Sequence, residues 1–172
     1  FIEHSNRRPK NISVIDIGTG SCCIPISIIL NSSNINSFDA IDPHTFEIAK
    51  KNISSYKLEG RINLYNIGIE GILSTLNKKY DIITANLPYI PEDKKIKELN
   101  FEPYEALYAK DDGLHYIKML IGILPVIIKK NGIALIEIDP NHTDYLNDLK
   151  NFNVSIFKDL NNLDRIAEIK IR

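Results

Sequence analysis

Val14-Ile15-Asp16-Ile17-Gly18-Thr19-Gly20-Ser21 runs an apolar strand into a glycine loop, and Cys22 to Leu30 follows as an apolar helix. Pro25 falls in the first turn of that helix, where its missing N–H costs little. Outward from this stretch, strand and helix signals alternate. Ser37 to Ile41 is a short strand ending at Asp42, and Pro43 to Ser54 reads as a helix. Arg61 to Tyr65 gives a third strand, Tyr80 to Ala85 a fourth and Gly132 to Ile138 a fifth. A long helix, about Asp112 to Leu124, lies between the last two, with a break expected at Pro125 and a restart to Lys129. Asn131-Gly132 reads as the turn into the fifth strand. A helix from Asn141 to Lys150 precedes two final strands, Val154 to Phe157 and Arg165 to Ile171. The Asn-rich loop between those two has no room for a helix, so they are expected to pair as an antiparallel hairpin.

Strands alternating with helices imply an α/β fold with a doubly wound, mostly parallel sheet, and ligands outside the carboxyl ends of the strands. A terminal antiparallel hairpin on such a seven-stranded sheet marks the Rossmann-like class I S-adenosylmethionine-dependent methyltransferase. A dinucleotide dehydrogenase more often ends in another parallel crossover.

With 172 residues and 44% hydrophobic content, the chain can bury one sizeable core. The expected division is a leader or linker over 1–11 and a methyltransferase domain over 12–172. Because it opens at Phe1 and not at Met, the chain reads as an excised domain. A net charge of −1 leaves no bulk electrostatic footprint for a phosphate backbone. Arg7-Arg8-Pro9-Lys10 is the one short basic cluster and reads as a solvated leader. Cys22 and Cys23 are adjacent, which suits neither a disulfide framework nor paired zinc ligands and points to a reducing compartment. The longest uncharged apolar run, Met119 to Ile128, is too short to span a bilayer. A cytoplasmic monomer, apart from membranes and without direct nucleic-acid binding, is the expectation.

Glycines between a first strand and a first helix let a ligand approach backbone N–H groups at the helix N-terminus. That end suits a methionine carboxylate as well as a phosphate. Gly-x-Gly alone is a weak signal: the third glycine of a dinucleotide fingerprint would fall on Cys23, and no P-loop Lys follows. Asp42, about twenty residues on, ends the second strand where a carboxylate can accept from ribose hydroxyls. It could equally cap the helix that follows.

Asn86-Leu87-Pro88-Tyr89, at the end of the fourth strand, discriminates. An amide nitrogen is a poor nucleophile because its lone pair is delocalised. The Asn86 side-chain oxygen and the Leu87 carbonyl could hold its N–H groups, Pro88 stiffen the turn, and the Tyr89 ring pack on the planar group. Such a site works by positioning and preorganisation, without a covalent enzyme intermediate. The bland alternative is an Asn-initiated turn with a core Tyr.

From about Ile12 to its end the chain resembles the catalytic domain of the HemK/PrmC-type release-factor glutamine (N5) methyltransferases. Beyond the two motifs, Phe101-Glu102-Pro103 with Ala106-Leu107, and Asp112-Gly113-Leu114-His115-Tyr116, are similar to that family. So are Leu124-Pro125, Asn131-Gly132-Ile133, Glu137-Ile138 and Asp164-Arg165. The resemblance implies methyl transfer from S-adenosylmethionine, leaving S-adenosylhomocysteine, to a glutamine in the Gly-Gly-Gln loop of a peptide-chain release factor during translation termination. It implies a cofactor site at Asp16, Gly18, Thr19, Gly20, Ser21, Cys22, Asp42 and Asn86, with Ile69 near the adenine. It implies that Asn86, Leu87, Pro88 and Tyr89 hold the glutamine, and that a helical substrate-recruiting domain belongs upstream. The family usually carries Gly at Cys22, Asp at Gly68, Pro at Leu87, Gly at Asp139 and often Gln at His142. Other readings are a ribosomal-protein glutamine methyltransferase, a nucleic-acid adenine or guanine N-methyltransferase, and a degenerate methyltransferase fold kept as a binding module. A nucleic-acid substrate predicts a basic groove, which the slightly acidic composition disfavours.

Overall fold

In the computed structural model, which describes residues 11–35, 37–94 and 103–172, seven strands form one sheet. β1 (Val14–Ile17) and β2 (Phe38–Ile41) are buried along their whole length, as parallel strands covered on both faces require. β3 (Ile62–Tyr65), β4 (Tyr80–Ala85), β7 (Ile128–Glu137), β8 (Phe152–Lys158) and β9 (Asp164–Ile171) complete it, in the order β3-β2-β1-β4-β7-β9-β8. β1 to β4 and β7 run parallel, whereas β9 is antiparallel to both β7 and β8. The expected hairpin and doubly wound order are therefore present. The order reverses between β1 and β4, so the crevice at their carboxyl ends is the switch point at which such sheets take ligands.

Side chains alternate across the sheet. Ile15 and Ile17 pack into one core with Ile117, Leu120 and Leu124 of helix α5 (His115–Ile127). Val14 joins a second core with Ile26 and Ile29 of α1 (Cys23–Asn31) and Ala49 and Ile53 of α2 (Phe46–Ser55). Period-2 alternation therefore directs Asp16 to the α1 face. No helix among the described residues is long and apolar enough to cross a membrane.

Several boundaries differ from the sequence expectation. α2 begins at Phe46 and not at Pro43, because the Asp42 carboxylate accepts the His44 and Thr45 N–H groups and holds residues 43–45 in a turn. α5 runs through Pro125 to Ile127 without a break. Pro125 forfeits its own bond to the Ile121 carbonyl, and only two helical residues follow it. β7 starts at once, so there is no restart to Lys129. Asn131-Gly132 sits inside β7 at a register break, where Tyr80 pairs with Ile128 and Ile82 with Ile133. A Cβ at Gly132 would meet the Tyr80 carbonyl oxygen at 2.9 Å, so this bulge has no room for a side chain. The helix expected over Asn141 to Lys150 is a 3-10 turn, Pro140–His142, followed by a short α6, Thr143–Asn147.

Short elements went unread. A 3-10 turn (Ile69–Gly71) leads into α3 (Ile72–Thr75), and α4 (Tyr104–Leu107) precedes a two-residue parallel pair of β5 (Ile90–Pro91) and β6 (Tyr108–Ala109). Such pieces are too short to show a period. The basic cluster Arg7 to Lys10 and the Phe101-Glu102 pair lie outside the described residues.

Candidate active site

A cleft of about 490 Å³ opens at the carboxyl ends of β1, β2 and β4. Gly18, Thr19, Gly20, Ser21, Asp42, Ile69, Asn86, Leu87 and Pro88 line it. Of the other expected site residues, Asp16 is fully buried below the floor, Cys22 is buried behind the loop, and Tyr89 is half-buried beside it.

The glycine loop is held from two sides. Gly18 and Thr19 donate N–H bonds to the Ile41 carbonyl at 3.0 Å, and Gly20 donates to Asp42 Oδ2 at 3.0 Å. From α2 and its entry, Thr45 Oγ1 donates to the Gly20 carbonyl and Asn52 Nδ2 to the Ser21 carbonyl. Gly18 has φ +72, and a Cβ there would meet Leu87 Cδ2 at 3.1 Å and the Asn86 carbonyl oxygen at 3.5 Å. Gly18 is therefore what lets the loop and the Asn-Leu-Pro-Tyr turn close on each other. Leu87, at the position where the family usually has Pro, anchors the turn by packing over that glycine.

Asp42 ties the turn that leads into α2 and still faces the cleft. Its Oδ1 accepts from His44 and Thr45 and its Oδ2 from Gly20, so three of about four acceptor positions are taken. One remains for a ligand hydroxyl.

Cys22 has φ 67 and ψ 22, the left-handed region that costs a non-glycine residue about 1–2 kcal/mol. Burial pushes its thiol up to about 11, against the Thr19 hydroxyl, so it is an inert packing group and not a nucleophile. Replacing it removes a buried thiol as well as strain, so the informative comparison is between two small residues. Cys22→Gly is expected to be more stable than Cys22→Ala by about 1 kcal/mol, the reverse of the order inside a helix. Urea midpoints measure this, and a more stable Cys22→Ala would contradict the strain.

Asp16 pairs across the sheet with Thr84, whose hydroxyl donates to Oδ1 at 2.5 Å. Its Oδ2, like Thr19 Oγ1, is buried with no hydrogen-bond partner. Burial, opposed by the Thr84 hydroxyl, pushes this carboxyl from 3.8 up to about 6. The native state therefore holds the proton more tightly than the unfolded chain. The resulting stabilisation is complete below the unfolded value and is lost as pH rises through about 6. Above that, the buried charge costs roughly 2–4 kcal/mol. Asp16→Asn is expected to gain stability over the parent at pH 8 relative to pH 4.5 by about 2 kcal/mol, part of the loss being already complete at pH 4.5. Equal increments at the two pH values would refute it.

The Asn-Leu-Pro-Tyr turn continues the wall. Asn86 is exposed on the cleft, Leu87 is buried, and Pro88 and Tyr89 are intermediate. The Tyr89 hydroxyl donates to Glu137 Oε1 at 3.0 Å, and burial, then the Glu137 carboxylate, raise its pKa. Arg165 braces this end, donating to the Ile138 carbonyl and pairing with Asp159.

A second brace comes from Asp111-Asp112-Gly113, where φ is 59, 51 and 86 in turn. Gly113 lies so close to the turn that a Cβ there would overlap the Tyr89 carbonyl oxygen and approach His142 Nε2 at 3.0 Å. His142 Nε2 is 3.2 Å from the Asp112 carbonyl, while Nδ1 is buried without a hydrogen-bond partner. The His142 side chain is thus buried and caps no helix. Asp139 does the capping, accepting from Asn141 N–H at 2.9 Å. Sequence reasoning did not find this packing of His142, Gly113 and Tyr89. Its available signal was Asp-Asp-Gly, a left-handed turn signature. No group of three or more metal-ligating side chains occurs among the described residues.

Three kinds of relative match this chain. The ribosomal protein L11 methyltransferase (PrmA) family model matches residues 1–89, just over half of the 172. A bifunctional methyltransferase of Rickettsia felis is 30% identical over 94% of this chain and 32% of its own length. A release factor glutamine methyltransferase of Flavobacterium psychrophilum is 32% identical over 95% of this chain and 60% of its own length. The chain thus spans about a third of the first and three-fifths of the second. In fold, it superposes on the ribosomal protein L11 methylase of Lactobacillus delbrueckii with a TM-score of 0.69 at 18% identity, covering 99% of this chain and 74% of that one. The cofactor of such methyltransferases is S-adenosylmethionine, and the residues present fit it. Ser21 and Cys23 border the cleft at the start of α1, Asp42 keeps an acceptor, and Ile41, Pro43, Ile67 and Ile69 give an apolar slot. By these matches the chain belongs to the PrmA-type methyltransferase family, and its resemblance to the HemK/PrmC-type release-factor glutamine methyltransferases extends over nearly all of its length.

Proposed function

We propose that this chain methylates the side-chain amide nitrogen of a glutamine in a peptide-chain release factor, with S-adenosylmethionine as donor. The observation that carries this is Asn86, an exposed amide on the wall of a cleft whose floor is the Gly18–Ser21 loop. When bound, S-adenosylmethionine supplies an electrophilic methyl group. The protein's own contribution is to bind and orient. The start of α1 at Ser21 and Cys23 takes a carboxylate, and Asp42 takes a ribose hydroxyl. The Asn86 oxygen and Leu87 carbonyl accept from the substrate amide, and the Tyr89 ring, tethered through its hydroxyl to Glu137, packs against the amide plane. The names and coverage of the glutamine methyltransferase relatives support the substrate class.

The match of residues 1–89 to the ribosomal protein L11 methyltransferase model favours a ribosomal protein as the second reading. Calorimetric titration with S-adenosylhomocysteine tests the cofactor half. One site per chain is expected, and no heat at millimolar ligand would favour the binding-module alternative.

A further inference from the structure

Gly68 has φ −82 and ψ 179, an extended conformation open to any residue, so its backbone does not require glycine. What a side chain there would meet is the carboxylate end of Glu70. A Cβ built on Gly68 would lie 2.6 Å from Glu70 Oε2 and closer still to Oε1. The Glu70 carboxylate is folded back over Gly68 into the volume that a residue-68 side chain would fill. Both residues line the cleft at the end formed by Ile67 and Ile69, away from Asn86 at the reacting end. Glu70 is exposed, and as an acidic residue at the start of a 3-10 turn it could extend into solvent and serve the helix end alone. It turns instead onto the apolar slot beside Ile67 and Ile69. A carboxylate at the rim of a flat apolar slot can accept from an exocyclic amino group on a planar heteroaromatic ring.

We propose that Glu70, accommodated by Gly68, reads the base of the cofactor by accepting a hydrogen bond from the exocyclic amino group of its adenine. This inference rests on the S-adenosylmethionine reading above. Charge-assisted hydrogen bonds are the strong class, and the 6-oxo group of hypoxanthine would present an acceptor to the same carboxylate. Glu70 is therefore a specificity determinant as well as an affinity contact.

The test compares S-adenosylhomocysteine with S-inosylhomocysteine, which carries the 6-oxo group, by calorimetry on the full chain. The parent is expected to prefer the adenosyl ligand by about ten- to thirtyfold. Glu70→Ala should weaken the adenosyl ligand by about tenfold and bring the two ligands within about twofold. Glu70→Gln, whose amide can donate to the 6-oxo group, should shrink or invert the preference. The side chain is exposed, so both variants should fold, and far-UV circular dichroism would verify it. An unchanged preference in Glu70→Ala overturns the inference while leaving the cofactor reading intact. Absence of S-adenosylhomocysteine binding by the parent overturns both.

Discussion

Asn86→Ala is expected to slow methyl transfer to a release-factor glutamine by about two to three orders of magnitude, with cofactor affinity within a few-fold of the parent. That is the scale for losing one preorganised polar contact at a reacting centre. The structure explains why the effect should be confined to the chemistry. Asn86 is exposed, and its turn is anchored by neighbours: Leu87 buried against Gly18, and Tyr89 tied to Glu137. Removing the carboxamide therefore leaves the wall standing. Tyr89→Phe should cost less, about tenfold, because the ring remains and only its tether is lost. Single-turnover rates at saturating substrate separate these effects from weak substrate binding. An Asn86→Ala enzyme with parental rate would remove Asn86 from the reaction.

Gly113→Ala is expected to destabilise the domain by about 2–4 kcal/mol and to disable the turn at the same time. Two costs add. The position has φ +86, which strains any side chain, and the new Cβ would overlap the Tyr89 carbonyl oxygen, a backbone atom that cannot swing aside. Either Tyr89 moves or the Asp111–Gly113 loop unwinds, releasing the His142 contact to Asp112. For a domain of this size the thermal midpoint should fall by roughly 5–15 °C. Gly122→Ala is the contrasting substitution. It lies inside α5 with open space around it, so it should stabilise by about 0.5–1 kcal/mol. Equal midpoints for the two variants would contradict the packing described.

Local chemistry made much of this legible. The run Val14 to Ser21 announces a strand, a loop and a helix because apolar run, glycine pair and helix follow one another in sequence. The strain at Cys22 could be anticipated there too, since a loop that hugs a ligand favours a residue free of a Cβ. Asp42 was readable as cap or ribose acceptor, and the structure instead shows it tying the turn before α2, whose N-cap is Thr45. Long-range arrangements were hidden. Gly113 meets Tyr89, and His142 meets Asp112, only because the sheet order brings β4 and β7 together. Pro125 misled because a local rule about helix breaking ignores how near the helix already is to its end. Glu70 was passed over because an acidic residue beside a helix start has an ordinary explanation, and only its fold over Gly68 sets it apart.

The most direct measurement is mass spectrometry of the tryptic Gly-Gly-Gln peptide from a release factor incubated with this chain and S-adenosylmethionine. One added methyl group on the glutamine side chain is predicted, lost with Asn86→Ala. Methylation of RNA or DNA adenine with that peptide unmodified would contradict the account. So would no transfer to any of these substrates by a chain shown to bind S-adenosylhomocysteine and rejoined to a substrate-recruiting domain.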